Sequence, residues 1–494
     1  MIITCTVAAM IKFAFLLPFL FSALGTCINA ERYIPPTFGF SVSLEALLPL
    51  LKLQEKTVAN LRSYAQTLQQ QMADVQLAIG MYEDLQRKAT LNSMNLIHQF
   101  SVIRHMHLDW AKWLSVMRAP KEQIQIQILK ELQPQMPTNM DLVEALKGLQ
   151  RIQYTWDLEP ADIARGNLHG RQYNVKRWGA FETFVLGVFC QLQGYYKDAD
   201  AWLTLTRDSY RRHPNPRQLG FRHWTYDHVL EYLMLANIGL GKFEAALEHA
   251  KELLVLQPYD KFFQDKVQEL GTKSDEQKPK SSLPIDVDAK LLKRLCRQHQ
   301  SPPAGRLHCR YMRGVDFLRL APLKMEELSL MPLISLYHDI LSDEELAIVR
   351  RLASPLLKRN KITYREIDSF TDYTATRPWQ SAELSSSMHK IISSLNRRIH
   401  QASGASSPQS DDLQVRNFGI GGHFLEPPPG DTAVVTALLY LSNVRQGGEI
   451  HFPSLNLRVT PQKGSLLVWP RTGDYHIECP VIVGNKWVAT KQIE

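Results

Sequence analysis

The stretch that most constrains the fold is the C-terminal segment Gln414–Glu494. Short runs rich in β-branched, leucine and aromatic residues alternate there with turns of glycine, proline and asparagine. Several short strands separated by such turns are typical of a small all-β barrel or sandwich. His476 and Lys486 lie ten residues apart, on either side of one of these turns. The four clearest predicted strands are Val434–Leu441, Leu466–Trp469, Val481–Val483 and Trp487–Ala489.

The N-terminus predicts a secretory signal peptide cut near Ala30. Ile11–Leu24 is apolar, contains Pro18, and is followed by small and polar residues. A signal anchor is the alternative, but the run is shorter than the ~20 residues that a membrane span needs. We therefore expect a mature chain with no membrane span, in an oxidising compartment.

Composition excludes several functional classes. A length of 494 residues favours two to four domains. The net charge of +8 is spread through helical segments, which argues against nucleic-acid binding. The sequence also has no zinc-finger spacing, P-loop or GxGxxG motif.

Two helical regions precede the β-rich segment. Ser41–Met117 has apolar residues at three- and four-residue steps, with Ser43 as a possible N-cap. A dimerising hairpin or coiled coil and an ordinary bundle both fit this pattern. Asp141–Gln257 contains two pieces, starting near Tyr196 and Phe243, that resemble the second helices of tetratricopeptide (TPR) repeats. Stacked repeats leave a concave face on which a peptide can lie.

A polar linker, Gly271–Pro284, follows the second helical region. Beyond it, Cys296 and Cys309 flank a loop containing proline and glycine, and they could form a disulfide or stay as two buried thiols. Ser342, with Glu345 three residues later, predicts a capped helix that follows a strand and a turn.

Almost the whole mature chain resembles the prolyl 4-hydroxylase alpha-subunit family. The segments FGIGGHF and GNKW, the spacing of His476 and Lys486, and the N-terminal piece DWAKWLSV carry the resemblance. It implies an iron(II)-, 2-oxoglutarate- and ascorbate-dependent dioxygenase of the endoplasmic reticulum lumen that hydroxylates peptidyl proline. It also implies three partners: a beta subunit of the protein disulfide isomerase type, a second alpha chain, and a proline-rich or collagen-like peptide.

The same resemblance assigns the residues of the active site. In the family a His-x-Asp pair and a distal histidine hold the iron, and a lysine ten residues later pairs with 2-oxoglutarate. His476 and Lys486 match the last two, but the His-x-Asp positions fall on Pro427 and Pro429. Proline has no side-chain donor, so two of the three iron ligands are missing and we expect impaired catalysis. The alternative is an active procollagen-proline 4-dioxygenase with substitute ligands. The candidates for these are His423, Glu426, Asp431 and His451.

The resemblance further assigns the TPR-like region to peptide binding, through tyrosines that stack on prolines. For each candidate aromatic residue, a place in the helix-packing core is expected as strongly as a place in a peptide-binding groove. Cys296 and Cys309 resemble a cysteine pair of the family. Cys479 is expected to be unpaired, because its family partner lies in a longer C-terminal tail. The aromatic candidates are Tyr195, Tyr196, Tyr232 and Trp156.

Together these features predict an α+β multidomain protein that binds peptide and assembles with other subunits. Its catalytic domain would be a double-stranded β-helix, or jelly roll. The expected parts are a signal peptide (1–30), an N-terminal helical and coiled-coil assembly domain (31–135), a TPR-like peptide-substrate-binding domain (140–270), a linker (271–290), a cysteine-containing connector (291–331) and a dioxygenase-like domain (332–494).

Overall fold

The chain forms two compact units, one from Ala46–Thr138 and one from Thr37–Glu45 with Asn139–Glu494. The signal peptide, most of the linker and the Pro427–Pro429 segment lie outside the described residues. The computed structural model describes residues 39–88, 123–174, 177–212, 225–273, 287–297, 307–314, 316–361, 376–404, 412–419, 421–425, 435–470 and 476–493.

Helices make up the described part of the first unit and dominate the N-terminal half of the second, and further helices lie in its C-terminal half. They are α1 (Leu47–Lys88), α2 (Gln123–Leu132), α3 (Asn139–Trp156), α4 (Pro160–Arg165), α5 (Ala180–Leu192), α6 (Tyr196–Arg212), α7 (Tyr226–Leu240), α8 (Phe243–Leu256), α9 (Lys261–Gly271), α10 (Val287–Cys296), α11 (Asp316–Leu320), α12 (Asp343–Ala353) and α13 (Lys390–Ser403).

In the first unit, the long helix α1 packs beside α2. The Asn60 side chain donates a hydrogen bond to the carbonyl of Gln125 (2.9 Å), and the Gln125 amide donates to the Ser63 hydroxyl (3.3 Å). The helix expected after Ser41 is therefore present from Leu47 onward. The part of that prediction beyond Lys88, up to Met117, lies outside the described residues.

The helices α5 to α9 form the helical layer of the second unit. A glycine lets two of them approach closely: a Cβ atom on Gly187 of α5 would lie 2.6 Å from Leu203 Cγ of α6. Gly239 of α7 likewise meets the ring of Tyr196, 2.5 Å from such a Cβ atom. The helices predicted to begin near Tyr196 and Phe243 are confirmed.

Strands dominate the C-terminal half of the second unit, and the first two strands, both short, lie in its N-terminal half. The strands are β1 (Asn167–Leu168), β2 (Arg171–Gln172), β3 (Cys309–Met312), β4 (Leu323–Leu330), β5 (Leu333–His338), β6 (Lys358–Lys361), β7 (Thr376–Leu384), β8 (Leu413–Phe418), β9 (Phe424–Leu425), β10 (Val435–Tyr440), β11 (Val444–Gly447), β12 (Ile450–Phe452), β13 (Leu457–Val459), β14 (Leu466–Pro470), β15 (Ile477–Glu478), β16 (Val481–Gly484) and β17 (Lys486–Ile493).

These strands build a nine-stranded antiparallel sheet in the order β3-β4-β5-β14-β10-β17-β8-β7-β6. A smaller sheet has the order β13-β12-β15-β9, and β11 pairs with β16. All four predicted β-rich runs are strands, and Ser342 caps α12 through a capping box with Glu345, as predicted. The protein therefore mixes helices with antiparallel sheets.

Each face of the large sheet buries its own apolar cluster. One cluster joins the sheet to helices α12 and α13, through residues such as Val349, Leu395 and Val415. The other lies between the two sheets and includes Phe418, Tyr440 and residues of β12 and β13. Because side chains alternate along a strand, neighbours on β8 point to opposite faces. This alternation places every second residue of β8 and β17 between the sheets.

A disulfide joins helix α10 to the end of β15, and it corrects the sequence-based pairing. Cys296 is bonded to Cys479, whereas Cys309 is exposed and free. The prediction of a Cys296–Cys309 bond was therefore wrong, as was that of an unpaired Cys479. Packing brings the true partners together, because Leu292 of α10 and Ile477 of β15 belong to one buried cluster.

The segment Thr37–Glu45 belongs to the same unit as the sheets. The Ser43 hydroxyl donates to Asn417 Oδ1 (2.5 Å), and the backbone amide of Phe40 donates to Asp141 (3.0 Å). A Cβ atom on Gly419 would lie 2.1 Å from the Ser41 carbonyl oxygen, so the two backbones are in close contact. Ser43 is thus an anchor on the sheet and not the predicted N-cap of α1.

Within the described ranges, no helix combines the length and the apolar character that a bilayer span requires.

Candidate active site

His476 lies between the two sheets, immediately before β15, and is 2% exposed. Three aromatic rings surround the imidazole: Trp469 at 4.9 Å, Phe424 at 5.5 Å and Phe452 at 6.2 Å between centroids. Contacts with three rings give the histidine an apolar environment on several sides.

Lys486 is the first residue of β17 and its side chain is also fully buried. Its Nζ atom lies 2.6 Å from Glu478 Oε2 and donates a hydrogen bond to the Gly448 carbonyl at 2.7 Å. The same ammonium lies 5.0 Å from the centre of the Phe418 ring, within the range of a cation–π contact. This lysine is therefore already ion-paired with an acidic side chain of the same protein.

Glu478 is two residues beyond His476 in β15 and has no solvent exposure. Its second carboxylate oxygen lies 3.2 Å from Nη1 of Arg416, a residue of β8 that is 5% exposed. The Arg416 guanidinium stacks over Phe424 at 4.5 Å from the ring centre. Two cations thus converge on one carboxylate between the sheets.

The titration of these groups follows from burial and from their mutual attraction. Burial raises the pKa of Glu478, but the charges of Lys486 and Arg416 outweigh it and hold that pKa below its usual value. Burial lowers the pKa of Lys486, and Glu478 opposes this by favouring the charged ammonium. Contacts of 2.6 and 3.2 Å are those of an ion-paired cluster.

Two of the substitute iron ligands can be placed. His423 is half-buried, and its pKa lies well below its usual value because of desolvation and because Arg151 adds positive charge nearby. His451 is buried in β12, where burial and then Arg458 lower its pKa. Its neighbour Phe452 faces His476, so alternation directs His451 to the opposite side.

Glu426 and Asp431 lie outside the described residues. In the part of the chain that the structure describes, no three histidine, cysteine, aspartate or glutamate residues are close enough together to hold a metal ion.

The predicted peptide-binding aromatics are mostly packed inside. Tyr232 makes an edge contact with Phe184, and burial raises its pKa to about 12. Trp156 is likewise buried, in the cluster with α10. Tyr195 and Tyr196 are half-buried, and the ring of Tyr196 rests on Gly239.

A cavity of about 260 Å³ opens elsewhere in the helical layer. It lies between α4, the start of α5 and the end of α6, and its wall includes Trp178, Tyr210, Arg177 and Arg212. The Trp178 ring is 6.0 Å from that of Trp202. The sequence analysis missed this cavity, because its wall combines side chains from three helices.

The chain is similar to known proteins over most of its length. Residues 43–170 match the family model of the prolyl 4-hydroxylase alpha-subunit N-terminal region. Prolyl 4-hydroxylase subunit alpha-1 of Homo sapiens is 27% identical over 509 residues, covering 92% of this chain and 93% of that protein. Subunit alpha-2 of Caenorhabditis elegans is 27% identical over 444 residues, or 81% of this chain and 80% of that protein. Over most of its length the chain is similar to prolyl 4-hydroxylase alpha subunits.

A solved structure is also matched: viral collagen prolyl hydroxylase vCPH from Paramecium Bursaria Chlorella virus-1, in a 2OG complex. The match has 18% identity and a TM-score of 0.27, and covers 32% of this chain and 94% of that one. A TM-score this low does not support any statement about this chain.

The prolyl 4-hydroxylase family depends on iron and 2-oxoglutarate, and the residues that the structure describes do not fit either group. For iron, no group of three histidine, cysteine, aspartate or glutamate side chains is close enough in the described ranges, and His476 is packed against three aromatic rings. For 2-oxoglutarate, the lysine that matches the family's position already holds Glu478.

The sequence analysis of this prolyl 4-hydroxylase homologue missed Glu478 and Arg416. Strand periodicity offered a signal for both. Glu478 stands two residues after His476, and Arg416 two residues before the buried Phe418, so each shares the inward face. Charged residues at inward positions are rare unless they are paired, which could have prompted a search for partners.

Proposed function

We propose that this chain is a non-catalytic prolyl 4-hydroxylase alpha-subunit homologue that binds proline-rich peptides and assembles with other subunits. The observation that carries the proposal is that prolines stand at positions 427 and 429, to which the family resemblance assigns two of the three iron ligands. A facial site for iron(II) needs two histidines and a carboxylate, and one imidazole cannot hold this labile ion against water.

The setting of His476 supports the same conclusion. Metal-binding histidines are normally oriented by a carboxylate, a carbonyl or a water on the other ring nitrogen, within a shell of further ligands. Here three aromatic rings pack around the imidazole of His476, and in the described residues no group of three ligand-type side chains is close enough to hold a metal ion. In this chain the remaining family histidine serves the core between the sheets.

The other roles are proposed from the similarity to this family. We place the protein in the endoplasmic reticulum lumen, paired with a beta subunit of the protein disulfide isomerase type and with a second alpha chain. The Cys296–Cys479 bond fits an oxidising compartment. We assign the helices α5 to α9 to a TPR-like peptide-binding domain and the two sheets to a jelly roll.

We assign peptide binding to the cavity beside Trp178 and Tyr210. Aromatic side chains on a concave helical surface can stack on the rings of an extended proline-rich peptide, which is ordered before it binds. Tyr232 and Trp156 are buried and hold the helices together, and Tyr196 supports the close approach at Gly239.

Catalysis is tested with the full chain purified from the secretory pathway of a eukaryotic host, together with the subunits that co-purify. We expect substoichiometric iron and no turnover of 2-oxoglutarate with proline-rich peptide, iron(II) and ascorbate. The human subunit alpha-1 complex is the positive control. Iron content is measured by atomic emission, and turnover by release of carbon dioxide from labelled 2-oxoglutarate.

A His476→Ala variant shows whether any residual signal belongs to this site. Turnover that is present in the unaltered chain and absent in this variant contradicts the proposal. It would establish the active dioxygenase with substitute ligands, and His423 and Glu426 would then be the first side chains to replace.

A further inference from the structure

Three charged side chains meet between the sheets in a place that water does not reach. Glu478 lies between Lys486 at 2.6 Å and Arg416 at 3.2 Å, and each side chain is at most 6% exposed. Removing charges from water is costly, and the cost is offset only when opposite charges and hydrogen bonds replace the water. Two buried cations therefore require an anion at the position of the Glu478 carboxylate.

The surroundings are those of a receptor for a carboxylate group. The Gly448 carbonyl fixes Lys486, and the Phe418 and Phe424 rings stack on the two cations. These contacts hold the donors in place independently of the glutamate. Donors held in this way can bind any carboxylate that reaches them, whichever molecule carries it.

A further donor lies near the same point. The Tyr440 hydroxyl is buried and has no hydrogen-bond partner within the described residues. Burial raises its pKa, and the charges of Glu478 and Glu449 add to this effect, so the phenol keeps its proton.

We propose that the Glu478 carboxylate occupies the position that a carboxylate of the cosubstrate would take. Glu478 thereby closes the interior to 2-oxoglutarate, and truncating it turns this position into a site for free small carboxylates. The inference deepens the proposed function and rests on it only in taking Lys486 as the residue that would meet the cosubstrate. It makes no use of the iron ligands.

The test uses the full chain with Glu478→Ala. We expect its melting temperature to fall below that of the unaltered protein, because two buried cations lose their anion. Sodium acetate and sodium 2-oxoglutarate should raise it again in a concentration-dependent manner. Sodium chloride at the same ionic strength should have a smaller effect, and the unaltered protein should respond equally to all three salts.

Three variants separate a carboxylate site from a general loss of stability. Glu478→Gln keeps the volume of the side chain, so it leaves no room for a free carboxylate and should not respond. In the double variant Glu478→Ala/Lys486→Met, stabilisation by acetate and 2-oxoglutarate should be lost, or should need at least about tenfold higher concentrations of the salts. Glu327→Ala is the matched control, because Glu327 is also buried but pairs with Arg310, which is exposed to water.

Several results overturn the inference. One is a Glu478→Ala protein that melts like the unaltered chain, and another is one that gains no stability from either carboxylate. If the variant does not fold, it should become soluble when expressed or refolded with acetate, and a failure to do so counts against the proposal. Binding of 2-oxoglutarate to the unaltered chain, measured by calorimetry, contradicts the occlusion directly.

This failure is distinguishable from that of the proposed function. Iron binding and histidine-dependent turnover by the unaltered chain would contradict the non-catalytic assignment. Absence of carboxylate binding in Glu478→Ala would leave that assignment untouched and show that the three charges are only a structural ion-paired cluster.

Discussion

Breaking the Cys296–Cys479 disulfide should destabilise the second unit more than removing any other cysteine. The bond closes a loop between positions 183 residues apart. In the chain-entropy description, a cross-link over such a loop removes about 5 kcal/mol of unfolded-state conformational entropy at 25 °C. This is an upper limit, because residual structure in the unfolded chain reduces the entropy that the bond removes.

The native contacts around the bond set what remains after it is broken. Helix α10 keeps its packing against α3 and β15 through Leu292 and Leu295, and Arg458 donates a hydrogen bond to the Cys296 carbonyl. We therefore expect a Cys479→Ser protein that still folds but unfolds at lower urea concentration. Its loss of unfolding free energy should be about 2–5 kcal/mol.

The assay is urea unfolding followed by tryptophan fluorescence, with and without a reductant. Reductant should lower the midpoint of the unaltered protein to that of Cys479→Ser, and should leave the variant unchanged. Cys309→Ser is the matched control, because that thiol is exposed and free. Peptide mapping of the oxidised protein should recover the Cys296 and Cys479 peptides joined together. A Cys296–Cys309 peptide, or a midpoint that is insensitive to Cys479→Ser, refutes the reasoning.

Three further perturbations test other parts of the structure. Gly187→Ala should lower the free energy of unfolding by about 1–3 kcal/mol in a thermal melt, since its methyl group has no space at the helix contact, whereas Gly80→Ala on an open face of α1 should be neutral or stabilising. The pKa of Glu345 is held below its usual value by a hydrogen bond from Arg398, so the stability that Glu345→Gln removes at pH 7 should decrease as the pH falls below the unfolded-state pKa of about 4.3, and should vanish only below the lower folded-state pKa, where the carboxylate is protonated in both states. Trp178→Ala should weaken binding of a proline-rich peptide by about 1–3 kcal/mol in calorimetry, and equal affinity would remove the cavity from consideration.

Local patterns in the sequence predicted the elements well. The β-rich runs became β10, β14, β16 and β17, and the Ser342–Glu345 pair marked the start of α12. These signals are local, because a strand's alternation or a cap's hydrogen bond is set by residues that are close in the chain. The similarity to the family, too, was recognisable from short motifs.

The pairings that decide the chemistry could not be predicted in the same way. Cys296 meets Cys479 because α10 packs on the small sheet, and nothing near either residue specifies that contact. Glu478 meets Lys486 because the chain turns between β15 and β17, which brings two inward faces together. The sequence also could not decide whether a helical aromatic residue is buried or lines a groove, because the buried Tyr232 and a groove-lining tyrosine have the same local pattern.

The attachment of Thr37–Glu45 to the sheets has a consequence for biosynthesis. Ser43 leaves the ribosome early, but its partner Asn417 is 374 residues further along the chain. At about 5–20 residues per second, the segment waits roughly 20 to 75 seconds for the strand that it contacts. During that time Phe40 and Val42, which are buried in the finished protein, have no sheet to cover them. The nascent chain thus presents a short apolar segment to chaperones until the strand that carries Asn417 has been made.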